Sequence, residues 1–469
     1  MSRSPILSEQ LCDIQGVLSS GFGWLTDSRF WLLTIGEGNE SQALARAWLA
    51  DLLHSGLVVS AKRALKWRDA QIREAVAVGF SFAGLTRLGL EETSEHPFPT
   101  PFRSGMGSKL REGLMRDTPR GQWRWSDSKD SGDQIVHIVV ANWCMKDAKP
   151  GMPPPDPRAF SRITLVDNRP GTFRADGKLY EPVGFRDGIA QPVIRGLRSE
   201  DSGNRVRKDA GVFYEDRVTA PGEFVVGYRN EYDELTYSPD VVNWTKSRRA
   251  NYPGGRFTLN GSYLAIRQIE QKLDKFRELE AKYPNPNGPT IGERMMGRGK
   301  NGLPLSWKGS RTVAVSDSKA DAFRYRVDDA NGFICPKGAH IRRANPRDSL
   351  GSDEQSSLQA AKLHKLLRRG RPYREEAADK DGLFFIACNA DLERQFEFIH
   401  QRWLRNVRFG NLHHEDDPVI GDPAPRCKHF TMPGLPTGDE VSFAALTETL
   451  GGGYFFLPGI KALEFIARG

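Results

Sequence analysis

The chain has 469 residues, 38% of them hydrophobic and 27% charged, a balance that sustains buried cores and excludes a disordered or fibrous protein. This length exceeds one ordinary domain and predicts two or three. The excess of 67 basic over 59 acidic side chains, +8, is mild for such a length: it admits anionic ligands and does not call for nucleic acid.

In chain order, the apolar run from Phe30 to Ile35 predicts a buried strand, and the helical spacing of apolar residues from Ser41 to Leu53 predicts a helix. Ala75 to Leu90 starts as strand and ends as helix. Asp117 to Asp133 is polar and contains glycine, so it reads as an exposed loop; Asp133 to Trp143 reads as another strand, followed by the proline-rich PGMPPPDPR. Residues 196–222 are poor in apolar side chains, which places a domain junction near 215, between an N-terminal unit 1–215 and a C-terminal unit 216–469. A second round of elements follows: strands at 222–228 and 262–269, a charged helix through Lys282, a strand from Gly382 to Cys388, a helix from Asp391 to about Leu404, a strand in YFFLPG at 454–459, and a closing helix. Two α+β halves of similar order suggest a duplicated architecture. No stretch approaches the ~18 uninterrupted apolar residues of a membrane span.

Cys12, Cys144, Cys335, Cys388 and Cys427 are odd in number and widely spaced, which argues against a disulfide framework or a structural zinc site. The opening MSRSPILSEQLCDIQG has no basic segment followed by an apolar core, so a cytoplasmic protein is expected. Gly297, Gly299 and Gly302 match GxGxxG, but the preceding GERMM reads as helix rather than strand, which removes the context a dinucleotide site needs.

Three segments carry chemistry together. In EPVGFRDGIAQP, Asp187 stands between Gly184 and Gly188; taken alone, Asp-Gly is an ordinary turn pair. In ICPKGAHIRRANPR, His340 follows a small-residue turn and precedes two arginines. A lone histidine is more often structural, yet neutral imidazole is a good iron donor. In LLRRGRPY, arginines sit beside large apolar residues and ask for an anionic partner; the run Leu383, Phe384, Phe385 that follows is either plain core strand or one wall of an apolar pocket.

These segments resemble those of the dye-decolorizing peroxidases, a family of haem enzymes. GFRDG resembles the family's GxxDG signature, CPKGAHIRRANPR its proximal-histidine segment, and LLRR with GLFFIACNADLERQFEFI its distal arginine and pocket strand. DIQG at 13–16, FSFAGLTRLGL, GEFVVGYRNEYDE, NGSYLAIRQIEQ and GGGYFFLPG extend the likeness over most of the chain, and the long stretch around 271–310 resembles a larger bacterial subtype. The resemblance implies an α+β fold of two ferredoxin-like domains with antiparallel sheets, and one haem b held mainly by the second. It implies His340 as the iron ligand, Asp417 as its hydrogen-bonding carboxylate, Asp187 as the distal acid–base and Arg368 as the distal arginine, with Arg369 the rival assignment. Leu383 and Phe385 would line the distal face and Arg342 would approach a haem propionate. The implied partners are hydrogen peroxide and small or bulky aromatic donors such as dyes and phenols, with no nucleic acid and no membrane; a homo-oligomer stays open. PYR at Tyr373–Arg374, where many relatives have PYG, departs from the pattern.

Three rivals stand against this expectation, one of them nucleic-acid binding through the basic surplus. A haem carrier or sensor on the same fold would need His340 but neither Asp187 nor Arg368. A metallohydrolase could use His413, His414, Glu415 and Asp416, although adjacent histidines point apart on regular structure.

Overall fold

The computed structural model describes residues 6–468 except 67–70, 93–95, 116–121, 147, 150, 168–176, 198–213, 240, 243–256, 309–315, 421–427 and 434–439. Most of the proposed junction stretch, the start of the 117–133 loop and Cys427 therefore lie outside the described residues.

The first half contains strand β1 (Asp27–Ile35), helix α1 (Gly38–His54), strand β2 (Glu74–Phe80), helix α2 (Phe82–Arg87), strand β3 (Ile138–Cys144) and strand β4 (Phe160–Asp167). The second half contains strand β5 (Ser262–Gln271), helices α3 (Leu273–Lys282), α4 (Ile291–Met296) and α5 (His340–Ala344), then strands β6 (Leu367–Arg368), β7 (Arg371–Glu375), β8 (Lys380–Asn389) and β9 (Thr447–Leu457), and a closing helix α6 (Ile460–Arg468).

All these strands belong to one sheet ordered β6-β8-β5-β9-β2-β3-β1-β4, with β7 also paired to β8. Within each half, the strands run fourth, first, third, second, and neighbours are antiparallel. That order, repeated, is the duplication expected from the sequence: two ferredoxin-like halves joined edge to edge where Phe456 of β9 pairs with Phe80 of β2. The halves also exchange support, since α6 at the C-terminus packs on α1.

Both faces of the central strands β2, β3 and β5 are covered, which is why they read as largely continuous apolar runs rather than as alternating ones. β7 runs beside β4, so the sheet curls until its ends meet. Phe30, Val139, Leu264, Ile266, Phe384, Ile386, Phe455 and Leu457 fill the enclosed side. The alternate residues Val140, Tyr263, Ala265, Tyr454 and Phe456 face the helices with Trp48, Leu49 and Leu463. Across the enclosed side, Phe30 of β1 stacks on Phe384 of β8 with ring centroids 4.2 Å apart.

The segment 222–228, expected as a strand, is a buried turn. Pro221–Glu223 forms a 3-10 turn, Val225 N–H donates to the Pro221 carbonyl at 2.9 Å, and Gly227 takes φ +96°. Phe224, Val225 and Val226 are fully buried, so their apolar run records burial and not extension. The predicted helix after β8 exists in π form, as Glu393–Glu397 and Ile399–Leu404, with i→i+5 bonds such as Arg405 N–H to the His400 carbonyl at 2.9 Å. Gly297, from the GxGxxG match, ends α4 in a left-handed conformation, φ +91°, a helix terminus and not a phosphate loop.

Candidate active site

A cavity of about 250 Å³ opens between the outer face of β8, the loop 181–192, α5 and the π-helical segment. His340, the first residue of α5, lines it. The neighbouring Arg343 is fully buried and anchors this turn, donating to the carbonyls of Gly338, Trp403, Asn406 and Glu415. His340 Nδ1 lies 2.9 Å from Asp417 Oδ2. Asp417 is fully buried, and its other oxygen accepts the backbone N–H groups of Val419 at 2.8 Å and Ile420 at 2.9 Å.

Burial alone would push the Asp417 carboxyl up. The charge of His340, its hydrogen bond and the Ile420 N–H outweigh that and hold it at about 2. Burial likewise pulls the imidazole down, but the Asp417 charge and hydrogen bond raise it above its ordinary value. An ionised carboxylate only accepts, so Nδ1 carries the proton and Nε2 is the nitrogen left to the cavity.

Another wall is the loop that begins at Glu181. Gly184 (φ +93°) and Gly188 (φ +82°) supply the left-handed turns that bring Asp187 to the cavity, and the Gly188 N–H donates to Asp187 Oδ1 at 2.6 Å. Arg368, on β6, also lines the cavity. Its backbone N–H donates to Gln191 Oε1 at 3.0 Å and its guanidinium donates to the Ile189 carbonyl, so the acid loop and the arginine strand hold each other. Arg369, the rival assignment, points elsewhere: it donates to the carbonyls of Val17 and Leu18 and lies outside the cavity lining.

Strand alternation decides the apolar wall. Leu383 and Phe385 line the cavity, whereas Phe384 between them points into the barrel. Phe396, Ile399, His400 and Leu404 of the π-helical segment extend the wall. This helix type is rare and concentrates at functional sites. Arg298, Arg347, Lys365 and Arg405 make the polar rim. Arg347 pairs with the buried Asp321, which also holds Arg298 at 3.3 Å and Arg217 at 3.2 Å. Burial pulls the Lys365 ammonium down to about 7.

The structure does not bring Arg342 to the cavity. It stacks over the Tyr325 ring at 4.6 Å and donates to the carbonyls of Cys335, Asp329 and Ala330. Residue 342 lies inside the short helix and faces the core, whereas residue 347 lies beyond its end, in a left-handed turn at φ +53°, and reaches the cavity. Arg347 stands in the same NPR stretch, seven residues after His340, and proximity to His340 in sequence was not enough to choose between them. Sequence reasoning also missed Glu181, Arg298, Lys365, His364 and His400, all cavity-lining; Glu181 opens the very segment that carries Asp187.

His413 and His414 are exposed, while Glu415 accepts the Thr431 N–H and Asp416 lies by Lys428 and Arg405, each at 3.8 Å. Among the described residues, no group of three or more His, Cys, Asp or Glu side chains could hold a metal ion, which removes the metallohydrolase arrangement. No helix among them is long and apolar enough to cross a membrane.

A family model described as Dyp-type peroxidase, C-terminal, matches residues 236–411. The multifunctional dye peroxidase DyP2 of an Amycolatopsis species is 30% identical over 486 aligned positions, covering 93% of this chain and 92% of that protein. The fold is similar to the crystal structure of a DyP-type peroxidase from Anabaena (TM-score 0.71, 21% identity, 98% of this chain and 95% of that one). It is similar too to a dye-decolorizing peroxidase solved in complex with 2,6-dimethoxyphenol (TM-score 0.69, 23% identity, 97% and 99%).

Proposed function

The chain belongs to the dye-decolorizing peroxidase family and is a haem peroxidase, and we propose that His340 is its axial iron ligand while Asp187 and Arg368 handle the peroxide. The observation that carries this reading is one cavity lined by an imidazole backed by a buried carboxylate, by an acid and by a guanidinium. The donor set fits haem b. Nε2 of His340 is free for a metal, Leu383, Phe385, Ile399 and Leu404 suit an apolar macrocycle, and Arg298, Arg347 and Lys365 suit its carboxylates.

Bound haem supplies the redox chemistry, taking two electrons to peroxide and drawing them back one at a time from donors. The protein supplies orientation and proton handling. Asp417 fixes the imidazole ring and makes it a stronger donor. Asp187 accepts a proton from one peroxide oxygen and returns it to the other, so the departing oxygen leaves as water; a positioned base contributes ~10²- to 10⁴-fold. Arg368, held by the Ile189 carbonyl, stabilises the negative charge that develops on the peroxide oxygens.

The donors we assign are dyes and phenols, supported by the names of the relatives and by the dimethoxyphenol held in a similar structure. We divide the chain at 215/216, so that the N-terminal unit contributes the acid and the C-terminal unit the iron ligand. Cys12, Cys144, Cys335 and Cys388 are all free thiols, which supports a reducing, cytoplasmic compartment.

Rapid mixing of the haem-loaded protein with hydrogen peroxide tests the reading. The parent should react fast, and Asp187→Ala with full haem loading should not. A variant that keeps the parent's rate would leave a haem carrier or sensor as the better description.

A further inference from the structure

Asp187 is not the only carboxyl at this wall. The Asp187 N–H donates to the Leu179 carbonyl at 3.0 Å, the Glu181 N–H donates to the Phe185 carbonyl at 2.8 Å, and Tyr180 bridges Arg186. Residues 179–187 thus form a tight hairpin in which 181 and 187 share a face. They are diagonal neighbours across it, roughly 7–8 Å apart at the backbone and within reach of two side chains and a water. Both side chains line the cavity. One Glu181 oxygen is held by Gln271 Nε2 at 2.7 Å, which leaves the other for a proton.

Charges of both signs surround Glu181. On its own hairpin are Asp187 and Arg186, the latter paired with Asp317. Beyond Gln271 stands Lys272, paired with Glu448 of β9 at 2.8 Å. His340, Arg267, Arg298, Arg347 and Arg368 line the same cavity. Burial and the Asp187 charge hold Glu181 well above the ordinary carboxylate range, against the pull of Gln271, His340 and Arg368. Two carboxyls that share a site hold one proton between them more easily than none.

Reducing one hydrogen peroxide to two waters takes two electrons and two protons. The hydrogens of peroxide itself complete the first water, so the second draws both protons from outside. Phenols bring a proton with each electron; electron-only donors do not. We propose that Glu181 is the proton store of this cavity, a positioning residue that feeds Asp187 during the oxidation of donors that carry no proton. The O–H bond of the Glu181 carboxyl breaks and its proton passes to the Asp187 carboxylate. Asp187 passes a proton to the oxygen that becomes the second water, the donor supplies the electron, and solvent reprotonates Glu181. This deepens the peroxidase reading and rests on it.

Glu181→Gln keeps the shape and the Gln271 contact and removes the store. In the haem-loaded variant, oxidation of ferrocyanide, an electron-only donor, should slow at least about tenfold more than oxidation of a phenol. The pH dependence of the ferrocyanide rate near neutrality should flatten, and Glu181→Asp should restore part of it. Independently of turnover, the parent at neutral pH should show an infrared band of a protonated carboxyl that Glu181→Gln lacks, a reading that stands even if the variant loses haem. A parent inert to peroxide overturns the peroxidase reading and this inference with it. An active parent whose Glu181→Gln variant treats both donors alike, or keeps the band, overturns the inference alone.

Discussion

Asp417 Oδ2 sits 2.9 Å from His340 Nδ1, and Asp417 is itself tied by the N–H groups of Val419 and Ile420 and fully buried. The carboxylate is therefore fixed before any ligand arrives, and it fixes the imidazole in turn. Asp417→Asn keeps the shape and loses the charge. It should weaken haem affinity by ~10- to 100-fold, the usual cost of losing such a partner, and shift the iron potential upward. Hemin titration and redox titration read the two effects.

The same pair makes folding acid-sensitive. A carboxyl held at about 2 against an ordinary 3.8 contributes stability that is complete above the unfolded value and drains away as pH falls from about 4 toward 2. The contribution is on the order of 2 kcal/mol. Denaturant unfolding of the parent and Asp417→Asn should thus differ at pH 7 and converge near pH 2.

Asp187 and Arg368 reach the cavity from different halves of the chain and meet at the Ile189–Gln191 loop. Asp187→Asn should slow the reaction with peroxide by ~10²- to 10⁴-fold. Arg368→Leu should cost ~3–4 kcal/mol of the barrier. Stopped-flow mixing measures both, with haem content checked to be unchanged.

Arg347 lines the cavity, and Arg342, expected there from sequence, does not. Arg347→Leu removes a cavity-lining cation and one of three arginines that hold Asp321, so it should weaken haem retention and lower stability. Arg342→Leu breaks the contacts to Tyr325 and three carbonyls and should lower stability while leaving hemin affinity near the parent's. Paired hemin and denaturant titrations separate them.

Phe384 and Phe385 are neighbours with opposite duties. Phe384→Ala empties a fully buried site against Phe30 and should cost ~3–5 kcal/mol of stability with little change in hemin affinity. Phe385→Ala should enlarge the cavity and alter donor selectivity at a smaller cost in stability. Melting curves and turnover with donors of graded size check the pair.

The fold was legible where one physical signal dominates. The apolar runs of β1, β3 and β8 and the helical spacing of α1 and α6 are set by burial on a sheet whose central strands are covered on both sides. The signal misled at 222–228, where Phe224, Val225 and Val226 are buried in a turn, because hydrophobicity reports burial whatever the backbone path. It did not reveal the π form of 393–404, because apolar spacing reports a helix with one buried face whatever its hydrogen-bond register. At the site, His340, Asp187 and Arg368 stand in segments whose order resembles a family, and the structure brings them to one cavity. Arg342 was misplaced and Arg347 missed because which face of a short turn looks inward is a tertiary fact. Glu181 was missed because its meaning depends on the hairpin that sets it across from Asp187.

The central claim is that the imidazole of His340 grips the iron. Optical titration of the protein with hemin, beside His340→Ala, tests it most directly. The account predicts one equivalent bound by the parent with a histidine-ligated ferric spectrum, and a variant that loses this spectrum and regains it with added imidazole. A parent that ignores hemin, or a variant whose spectrum and affinity equal the parent's, would contradict it.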